Sequence, residues 1–347
     1  MGATMKDLAK ETGLGLATIS SYFNGGNVRE KNRVKIEKAI KNLHYEVNEV
    51  ARSFKTNTTR TIGVVIPELN NTFCAQIITE LEDVLRSHGY ATIVCDCRTD
   101  ETLEKEAAEF LQRRRVDGII SMPVSTNSRH LDSFSRTGKP IVLIDRMIQG
   151  LPCDCVLTDN RRAAHDAVRL LTGHGHKRIG LVGGPGSVYT ALERLQGYLD
   201  ALKEAGIQPD ERLIYNGDYT IRGGSEGVRR LMQDNPDMTA VFVTNYEMTM
   251  GAVITLNEEG VRIPEQISLI GFDNPEFARA CNPSLTIVTQ PVREIGQEAA
   301  AIMLERLAEE QQTENKPEER SIRRLKTALV AGRSVADVKY AHEFSSV

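Results

Sequence analysis

The feature that most constrains the fold of this chain is an alternation of short apolar runs with longer amphipathic stretches, from residue 61 to about residue 334. Helical stretches between strands of this kind are typical of parallel, doubly wound α/β sheets. With the late apolar segments, the total of about ten strands exceeds what one sheet normally holds, so we expect two lobes. The runs that predict strands are Thr61–Ile66, Ala91–Cys95, Gly118–Met122, Ile141–Ile144, Val156–Thr158, Ile179–Gly183, Leu213–Asn216, Ala240–Val243 and Ser268–Phe272.

Three late apolar segments, around Ile270, Ile287 and Leu329, predict that the chain crosses between the lobes more than once. The polar stretch 309–320 is expected to be a loop, and residues 335–347 form a tail without a sustained heptad pattern. The predicted core, 61–334, then consists of one lobe made of residues 61–160 with 291–320 and another made of residues 161–290 with 321–334.

Residues 1–46 have a different pattern, which predicts three short helices. Thr4 and Asp7 have the spacing of a capping box at the start of the first helix. In the second helix, Ile19 and Phe23 lie four residues apart and share a face, and the third combines an apolar stripe with lysine and arginine. Two helices joined by a glycine-containing turn, with a third helix that closes the core, describe an all-α helix-turn-helix headpiece.

The formal charge of −4 hides an asymmetry between the two parts of the chain. Residues 1–60 carry a charge of +5, whereas the remaining 287 residues carry −9. Regions of opposite sign favour a basic part that binds a polyanion, attached to an acidic body with another task. A basic face that is merely solvated is the alternative.

In a helix-turn-helix unit, the first residues of the second helix meet base edges in the major groove. Leu16, Ala17 and Ser21 have these positions here, and the two apolar side chains suit thymine methyl groups. Because no Arg or Gln stands there for a bidentate purine contact, we expect specificity to depend on apolar contacts and DNA shape. A small helical domain that contacts protein is the alternative. The other residues expected at the DNA interface are Thr4, Thr18, Ser20, Asn24, Asn32 and Asn48.

Residues 47–60 are polar and predict a short hinge helix followed by a linker that orders on a partner. Any helical arrangement of residues 48–54 exposes Phe54. An exposed aromatic ring here either packs on the body or acts as a wedge between base steps in the minor groove. The neighbouring cations Arg52 and Lys55 favour the wedge.

Polar, charged and aromatic residues follow many of the predicted strands. In open α/β sheets, ligands bind at the carboxyl ends of the strands. Amides, charged groups and aromatic rings that converge on one cleft suit a polyhydroxylated small molecule, although each residue alone could be a turn residue or a helix cap. The set comprises Asn70, Asn71, Phe73, Asp145, Arg146, Asp159, Asn160, Arg194, Asn245, Asp273 and Gln290.

Motifs of several enzyme classes are incomplete in this sequence. The glycine-rich run Gly180–Gly186 follows a strand, but Tyr189 breaks the dinucleotide-binding pattern and Pro185 removes a backbone N–H. The histidines lack the nucleophile elbow of hydrolases and the His-Glu-x-x-His pattern of metalloproteases. We therefore expect a protein that is not an enzyme and needs no cofactor.

The six cysteines include two Cys-x-Cys pairs, Cys95/Cys97 and Cys153/Cys155, in or beside predicted strands. Alternate residues of a strand share a face, so we interpret these pairs as small core residues with reduced thiols. A metal site and a redox sensor are the alternatives, and we expect no metal. No apolar run approaches the ~18 residues of a membrane helix, and no signal-peptide pattern is present, so we expect a cytoplasmic protein without a membrane partner.

The chain resembles the LacI/GalR (lac repressor-like) family of bacterial transcription regulators from residue 4 to about residue 334. The resemblance implies a DNA-binding headpiece, a hinge helix that orders on the operator, and a two-lobed periplasmic-binding-protein-like core. In the family, that core binds an effector between its lobes and dimerises. The similar motifs are Thr4–Leu14, Thr18–Ser20, Tyr45–Asn48, Ala51–Phe54, Thr61–Pro67, Leu143–Arg146, Gly173–Gly184, Gly271–Asn274 and Pro283–Pro291.

The resemblance also implies roles for individual residues. It gives base reading to Leu16, Ala17 and Ser21, and intercalation to Phe54 in place of the usual leucine. Tyr246 stands where the family usually has Asp, a difference that points away from a standard hexose effector. Strand ends and resemblance together predict the effector-binding set Asn71, Phe73, Arg146, Asp159, Arg194, Asn245, Tyr246, Asp273 and Gln290.

These features predict a sequence-specific transcriptional regulator, namely a repressor, with an effector-controlled affinity for DNA. The expected partners are a pseudo-palindromic operator, a small polar effector such as a sugar, and a second copy of the chain in a homodimer. A solute-binding or sugar-binding module without a transcriptional role is the alternative.

Overall fold

The computed structural model describes residues 3–23, 26–46, 58–126, 129–148, 150–311 and 320–338. The chain divides into two compact units, Met1–Thr59 and Arg60–Val347. Each unit has its own hydrophobic core.

The first unit contains the three predicted helices, α1 (Met5–Thr12), α2 (Leu16–Phe23) and α3 (Glu30–Leu43). The predicted capping box is present, because the Thr4 hydroxyl accepts from the Asp7 N–H at 3.3 Å and the Asp7 carboxylate accepts from the Thr4 N–H at 2.8 Å. Gly13 ends α1 with a φ of 67°, a conformation that favours glycine. The buried core of the unit is formed by Leu8, Ile19, Val28, Ile36 and Ala39.

The second unit contains two six-stranded sheets. The strands of the first sheet are β1 (Thr61–Ile66), β2 (Ala91–Asp96), β3 (Gly118–Ser121), β4 (Ile141–Ile144), β5 (Asp154–Thr158) and β11 (Ile322–Leu325). The strands of the second are β6 (Ile179–Gly183), β7 (Ile214–Asn216), β8 (Ala240–Val243), β9 (Ser268–Phe272), β10 (Thr286–Thr289) and β12 (Ala328–Val330).

The two sheets have the same strand order and differ in the direction of one edge strand. The first has the order β11-β5-β4-β3-β1-β2, and all its strands are parallel. The second has the order β12-β10-β9-β8-β6-β7, in which only β12 runs antiparallel to its neighbour. The predicted doubly wound α/β architecture with two lobes is therefore confirmed.

Helices cover both faces of each sheet. Those of the first lobe are α4 (Thr72–Ser87), α5 (Glu101–Arg113), α6 (Asp132–Ser135) and α12 (Val292–Gln311). Those of the second lobe are α7 (Asn160–Gly173), α8 (Tyr189–Glu204), α9 (Ile221–Asp234), α10 (Tyr246–Glu258) and α11 (Pro275–Ala280), with a 3₁₀ turn at Glu211–Leu213.

The inner strands of both sheets are buried on both faces, which explains why they are continuously apolar rather than alternating in sequence, whereas the edge strands β2 and β7 are more exposed. In β1, Val64 and Val65 face opposite sides of the sheet and belong to different hydrophobic clusters. Leu181 and Val182 do the same in β6 of the second lobe. All nine predicted strands are present, with ends that move by at most two residues.

The chain crosses between the lobes three times: after β5, after β10, and between β11 and β12. The first two crossings agree with the predicted boundaries near residues 160 and 290. The third does not, because residues 321–334 were expected in the second lobe, whereas β11 pairs with β5 of the first. The reason is that β11, Ile-Arg-Arg-Leu, is an edge strand whose two arginines hide it from a search for apolar runs. The first lobe therefore ends at Leu325 and the second resumes at Ala328.

Candidate functional site

A cavity lies between the two lobes, at the carboxyl ends of the parallel strands. It encloses about 800 Å³, including the space at its open mouth. Both lobes contribute to its walls, as expected for ligand sites of open α/β sheets. Eight of the nine predicted effector-binding residues line it, namely Asn71, Phe73, Arg146, Arg194, Asn245, Tyr246, Asp273 and Gln290.

A hydrogen-bonded carboxylate connects the two walls of this cavity. Glu247, in the first turn of α10, accepts from the Asn245 side-chain amide at 2.6 Å. It also accepts from the Asn71 amide of the first lobe at 2.8 Å. Burial raises the pKa of Glu247 to about 7, with Asp273 and Glu68 adding to the effect. The two asparagines are held in place because each caps the helix that follows it: Asn71 accepts from Cys74 N–H and Asn245 from Met248 N–H.

A second connection lies where the chain crosses between the lobes. The Gln290 amide donates to the Asp273 carboxylate at 2.9 Å, and the Gln290 carbonyl accepts from the Thr158 hydroxyl at 2.8 Å. Asp273 follows β9 with a φ of 60°, so the chain turns sharply at this carboxylate. Burial raises the pKa of Asp273 to about 6, although the cation of Arg194 opposes that shift.

The two arginines of the cavity are held by the protein itself. Arg194 of α8 is buried and donates from Nε to Asn160 Oδ1 at 2.8 Å and from Nη1 to the Thr244 carbonyl at 2.5 Å. Its guanidinium also lies 3.9 Å from the centre of the Phe272 ring, at a distance suited to a cation–π contact. Arg146 donates from Nη1 to the Pro123 carbonyl at 2.9 Å.

The first lobe contributes a buried acid, Asp145, at the end of β4. Its side chain is 5% exposed, and its φ of 62° places it in a tight turn. One carboxylate oxygen, Oδ2, faces Arg146 Nε at 3.5 Å. The other, Oδ1, has no hydrogen-bond partner among the described residues.

Three strand-end residues do not line the cavity. Asp159 caps α7 by accepting from Arg162 N–H at 3.4 Å, so the helix-cap alternative fits this residue better than ligand contact. Asn160 lies behind the wall and orients Arg194, while Asn70 is exposed elsewhere. Sequence reasoning missed several polar lining residues that follow strand ends, including Glu68, Thr99, Asp218, Tyr219 and Glu247. A search that included the first helical turn after each strand would have found Glu247.

The headpiece presents the predicted base-reading residues on one side of α2. Leu16 and Ala17 are exposed in its first turn, and Ser21 lies one turn after Ala17. Ile19 points into the core, so these side chains remain outside it. Thr18, Ser20 and Asn32 are half-buried, and the Thr4 hydroxyl donates to Asp7 in the capping box. Asn24, Asn48, Arg52 and Phe54 lie outside the described residues.

The described part of the chain contains no group of three or more His, Cys, Asp or Glu side chains arranged to hold a metal ion. All six cysteines are free thiols, and burial raises the pKa of Cys97 to about 12. No helix in the described ranges is long and apolar enough to cross a membrane.

Comparison with known proteins agrees with this geometry. The family of periplasmic binding proteins and sugar binding domains of the LacI family matches residues 59–328. The HTH-type transcriptional repressor CytR of Escherichia coli strain K12 is 34% identical over 306 residues, which cover 88% of this chain and 90% of that protein.

Two solved structures extend the similarity to the headpiece. The lac repressor dimer bound to operator and the anti-inducer ONPF has a TM-score of 0.84 and 25% identity, covering 97% of this chain and 100% of that one. The complex of the transcriptional regulator CelR with cellobiose has a TM-score of 0.73 and 28% identity, covering 96% and 99%. The chain therefore belongs to the LacI family.

Proposed function

We propose that this protein is a sequence-specific DNA-binding repressor whose affinity for its operator is controlled by a small polar effector. The observation that carries the proposal is the similarity to the operator-bound lac repressor, which covers both the headpiece and the two-lobed core. The basic charge of residues 1–60 agrees with a DNA-binding role for that unit.

The operator would be contacted through the exposed side of α2. Leu16, Ala17 and Ser21 are assigned to base edges, and Phe54 of the hinge to a wedge in the minor groove. A homodimer would read a pseudo-palindrome, because two identical headpieces meet two half-sites in opposite orientation. The other assigned DNA contacts are Thr4, Thr18, Ser20, Asn24, Asn32, Asn48 and Arg52.

The effector would bind in the cavity between the lobes. Its lining combines amides, carboxylates and aromatic rings, a chemistry suited to a sugar or a related metabolite. Cellobiose in the CelR complex supports this class of ligand. A ligand that prefers one spacing of the lobes would shift the population toward that state, and its effect on DNA affinity would be matched by an equal effect of DNA on ligand affinity.

A solute-binding module without a transcriptional role is the second candidate, supported by the periplasmic-binding-protein-like core. The helix-turn-helix unit argues against it, because a solute-binding module has no use for a basic headpiece with exposed base-reading positions. A regulator of this kind would act in the cytoplasm, where the chromosome lies, and would need no enzymatic chemistry.

The decisive experiment is selection of genomic fragments by the full-length protein at low salt. We expect retained fragments to share a palindrome of roughly 14–20 bp, and we expect binding to weaken steeply with salt. Replacing Leu16 with Ser and Ser21 with Ala should relax the base preference, whereas Glu11→Gln, an exposed change on α1, should leave it unchanged. A wild-type protein that retains no palindrome contradicts the proposal.

A further inference from the structure

We infer that the cavity takes an effector that is neutral or cationic and rich in hydrogen-bond donors, and that it rejects anionic ligands such as phosphorylated sugars. This inference rests on the proposed function, because it specifies the chemistry of the effector. Four features of the cavity carry it: the sign of its charge, the partial engagement of its arginines, the capping of three of its four helix N-termini and an unmet acceptor.

Carboxylates outnumber cations in the cavity wall. Five lining residues are acids and two are arginines, so the charged groups alone give the site a negative balance. A cleft with low-dielectric walls concentrates the electric field of charges of one sign. The negative charges of this wall would therefore repel an entering phosphate. The acids are Glu68, Asp145, Asp218, Glu247 and Asp273.

The two arginines offset this balance only in part for an incoming anion. A phosphate or carboxylate is bound best by an arginine that offers two parallel N–H donors. Arg194 already uses Nε and Nη1 on Asn160 and Thr244. Arg146 uses Nη1 on Pro123, and its Nε lies 3.5 Å from Asp145 Oδ2 without a hydrogen-bond partner among the described residues. Each guanidinium is therefore committed in part to the protein.

Helix N-termini are the other common anion-binding groups, and most of those at the cavity are capped by the chain itself. Four helices begin at the cavity, α4, α8, α9 and α10, and α8, which follows Val188, has no side-chain cap. The side chains of Asn71, Thr220 and Asn245 accept from N–H groups in their first turns, at 3.0 to 3.1 Å. These caps satisfy donors that an anion would otherwise use.

An acceptor without a donor indicates what the ligand supplies. Asp145 lines the cavity, is nine-tenths buried, and has no hydrogen-bond partner for Oδ1 in the described part of the chain. An ionised carboxylate only accepts hydrogen bonds, and leaving it unpaired in a buried site is costly. Hydroxyl and ammonium groups of a ligand supply the missing donor, whereas a phosphate dianion does not.

The test uses matched ligands with the full-length protein. The panel contains glucose, glucosamine and glucose 6-phosphate; ribose and ribose 5-phosphate; cellobiose; and a nucleoside with its monophosphate. Ligand binding is measured by the shift in melting temperature and by release or tightening of the operator fragment. We expect the binders to be neutral or amino compounds, with each phosphorylated counterpart bound roughly 100-fold more weakly. The comparison of glucosamine with glucose distinguishes a cationic from a neutral effector.

Removing negative charges from the cavity wall should reduce the discrimination between neutral and phosphorylated ligands. Glu68→Gln, at an exposed position that tolerates substitution, and Glu247→Gln should each narrow the gap between a neutral ligand and its phosphate. Asp145→Asn should also narrow this gap, and it should in addition weaken the binding of the neutral ligand. Asp200→Asn, a change on the outer surface of α8, is the matched control and should leave the ratio unchanged.

A phosphorylated ligand that binds more tightly than its neutral counterpart overturns the inference. So does a protein that binds its operator but responds to no neutral or amino member of the panel, and in that case the repressor proposal stands. A protein that binds such a ligand but no operator contradicts the proposed function instead.

Discussion

The two lobes have the same strand order but bury different kinds of polar group. In the described part of the chain, the carboxylates that are almost fully buried all belong to the first lobe: Glu104, Asp117, Asp145 and Asp154. Two acids of the second lobe, Glu247 and Asp273, are half-buried in the cavity wall. The second lobe buries Arg194 and His176 with hydroxyls and amides, such as those of Ser268, Ser334 and Asn235. A shared strand order therefore does not determine which charged and polar groups each lobe buries.

The difference has consequences for stability. A buried carboxylate needs partners, and its ionisation couples the stability of the lobe to pH. Asp117 accepts from Arg60 N–H at 2.7 Å, and Asp154 is held by two arginines. The hydroxyls and amides of the second lobe stay neutral at ordinary pH. The pKa values of Glu247 and Asp273, in the cavity wall of the second lobe, are also raised. Away from the cavity, we therefore expect the interior of the first lobe to be sensitive to charge changes and to pH, and the interior of the second to depend on neutral hydrogen bonds.

The largest effect is expected for Asp154→Ala in the first lobe. The fully buried carboxylate accepts from Arg306 Nε at 2.9 Å, from Arg306 Nη2 at 2.7 Å and from Ser321 N–H at 2.8 Å. Its removal leaves the Arg306 cation without its main partner and should lower the free energy of unfolding by about 3–5 kcal/mol. Denaturant unfolding monitored by circular dichroism measures this loss.

The control for this variant is Asp200→Ala in the second lobe. Asp200 pairs with Arg161 at 2.6 Å on the surface, so its removal should cost less than about 1 kcal/mol. Equal losses for the two variants would remove the contrast between a buried and an exposed acid.

The next effect is a pH dependence that Glu104→Gln should remove. Burial raises the pKa of Glu104 to about 7, while the Val124 N–H donates to its carboxylate at 2.9 Å and the His130 ring lies 3.3 Å away. Because the folded state holds this proton more tightly than the unfolded state, the stabilising contribution is present at low pH and is lost as pH rises through about 7.

The free energy of unfolding of the wild type should therefore fall relative to Glu104→Gln between about pH 5 and pH 8, by up to about 3 kcal/mol. Glu106→Gln, an exposed change on the same helix, should follow the wild-type curve. A constant difference between wild type and Glu104→Gln across this range would contradict the assignment.

The smallest effect is expected in the second lobe, for Tyr198→Phe. The buried Tyr198 hydroxyl donates to the Ile179 carbonyl at 2.8 Å, and burial raises the pKa of the phenol. Loss of the hydroxyl should cost roughly 1–2 kcal/mol, because the carbonyl is left unsatisfied. The loss should be the same at about pH 5 and pH 8, since nothing at this site ionises in that range. A loss that varies with pH would remove the distinction between the lobes.

The fold was largely predictable because doubly buried strands are apolar throughout. Apolar runs such as Ile141–Ile144 are recognised directly in the sequence, whereas β11, with two arginines between Ile and Leu at a sheet edge, escapes the same search. The lobe boundary at residue 320 was wrong for that reason. Pairing partners such as β5 and β11 depend on contacts distant in sequence, which periodicity does not encode.

The candidate site was predictable where a strand end places a side chain at the cavity. Asn245 and Asp273 follow β8 and β9 directly and line the wall, but Asp159, in the same kind of position, caps a helix instead. Strand-end position alone does not show which way a side chain turns. Glu247 was missed because it lies within α10, and its contact with Asn71 joins residues of different lobes.

The bonds of Gln290 have a mechanical consequence. This side chain sits at the second crossing and is bonded to Thr158, at the first crossing, and to Asp273 in the second lobe. A rotation of one lobe against the other would therefore have its pivot near this side chain. Because each lobe is a close-packed body, a small rotation at the pivot would produce displacements that increase with distance from it. A ligand that contacts Gln290 would therefore need to shift this side chain only slightly to produce a large displacement at the far ends of the lobes.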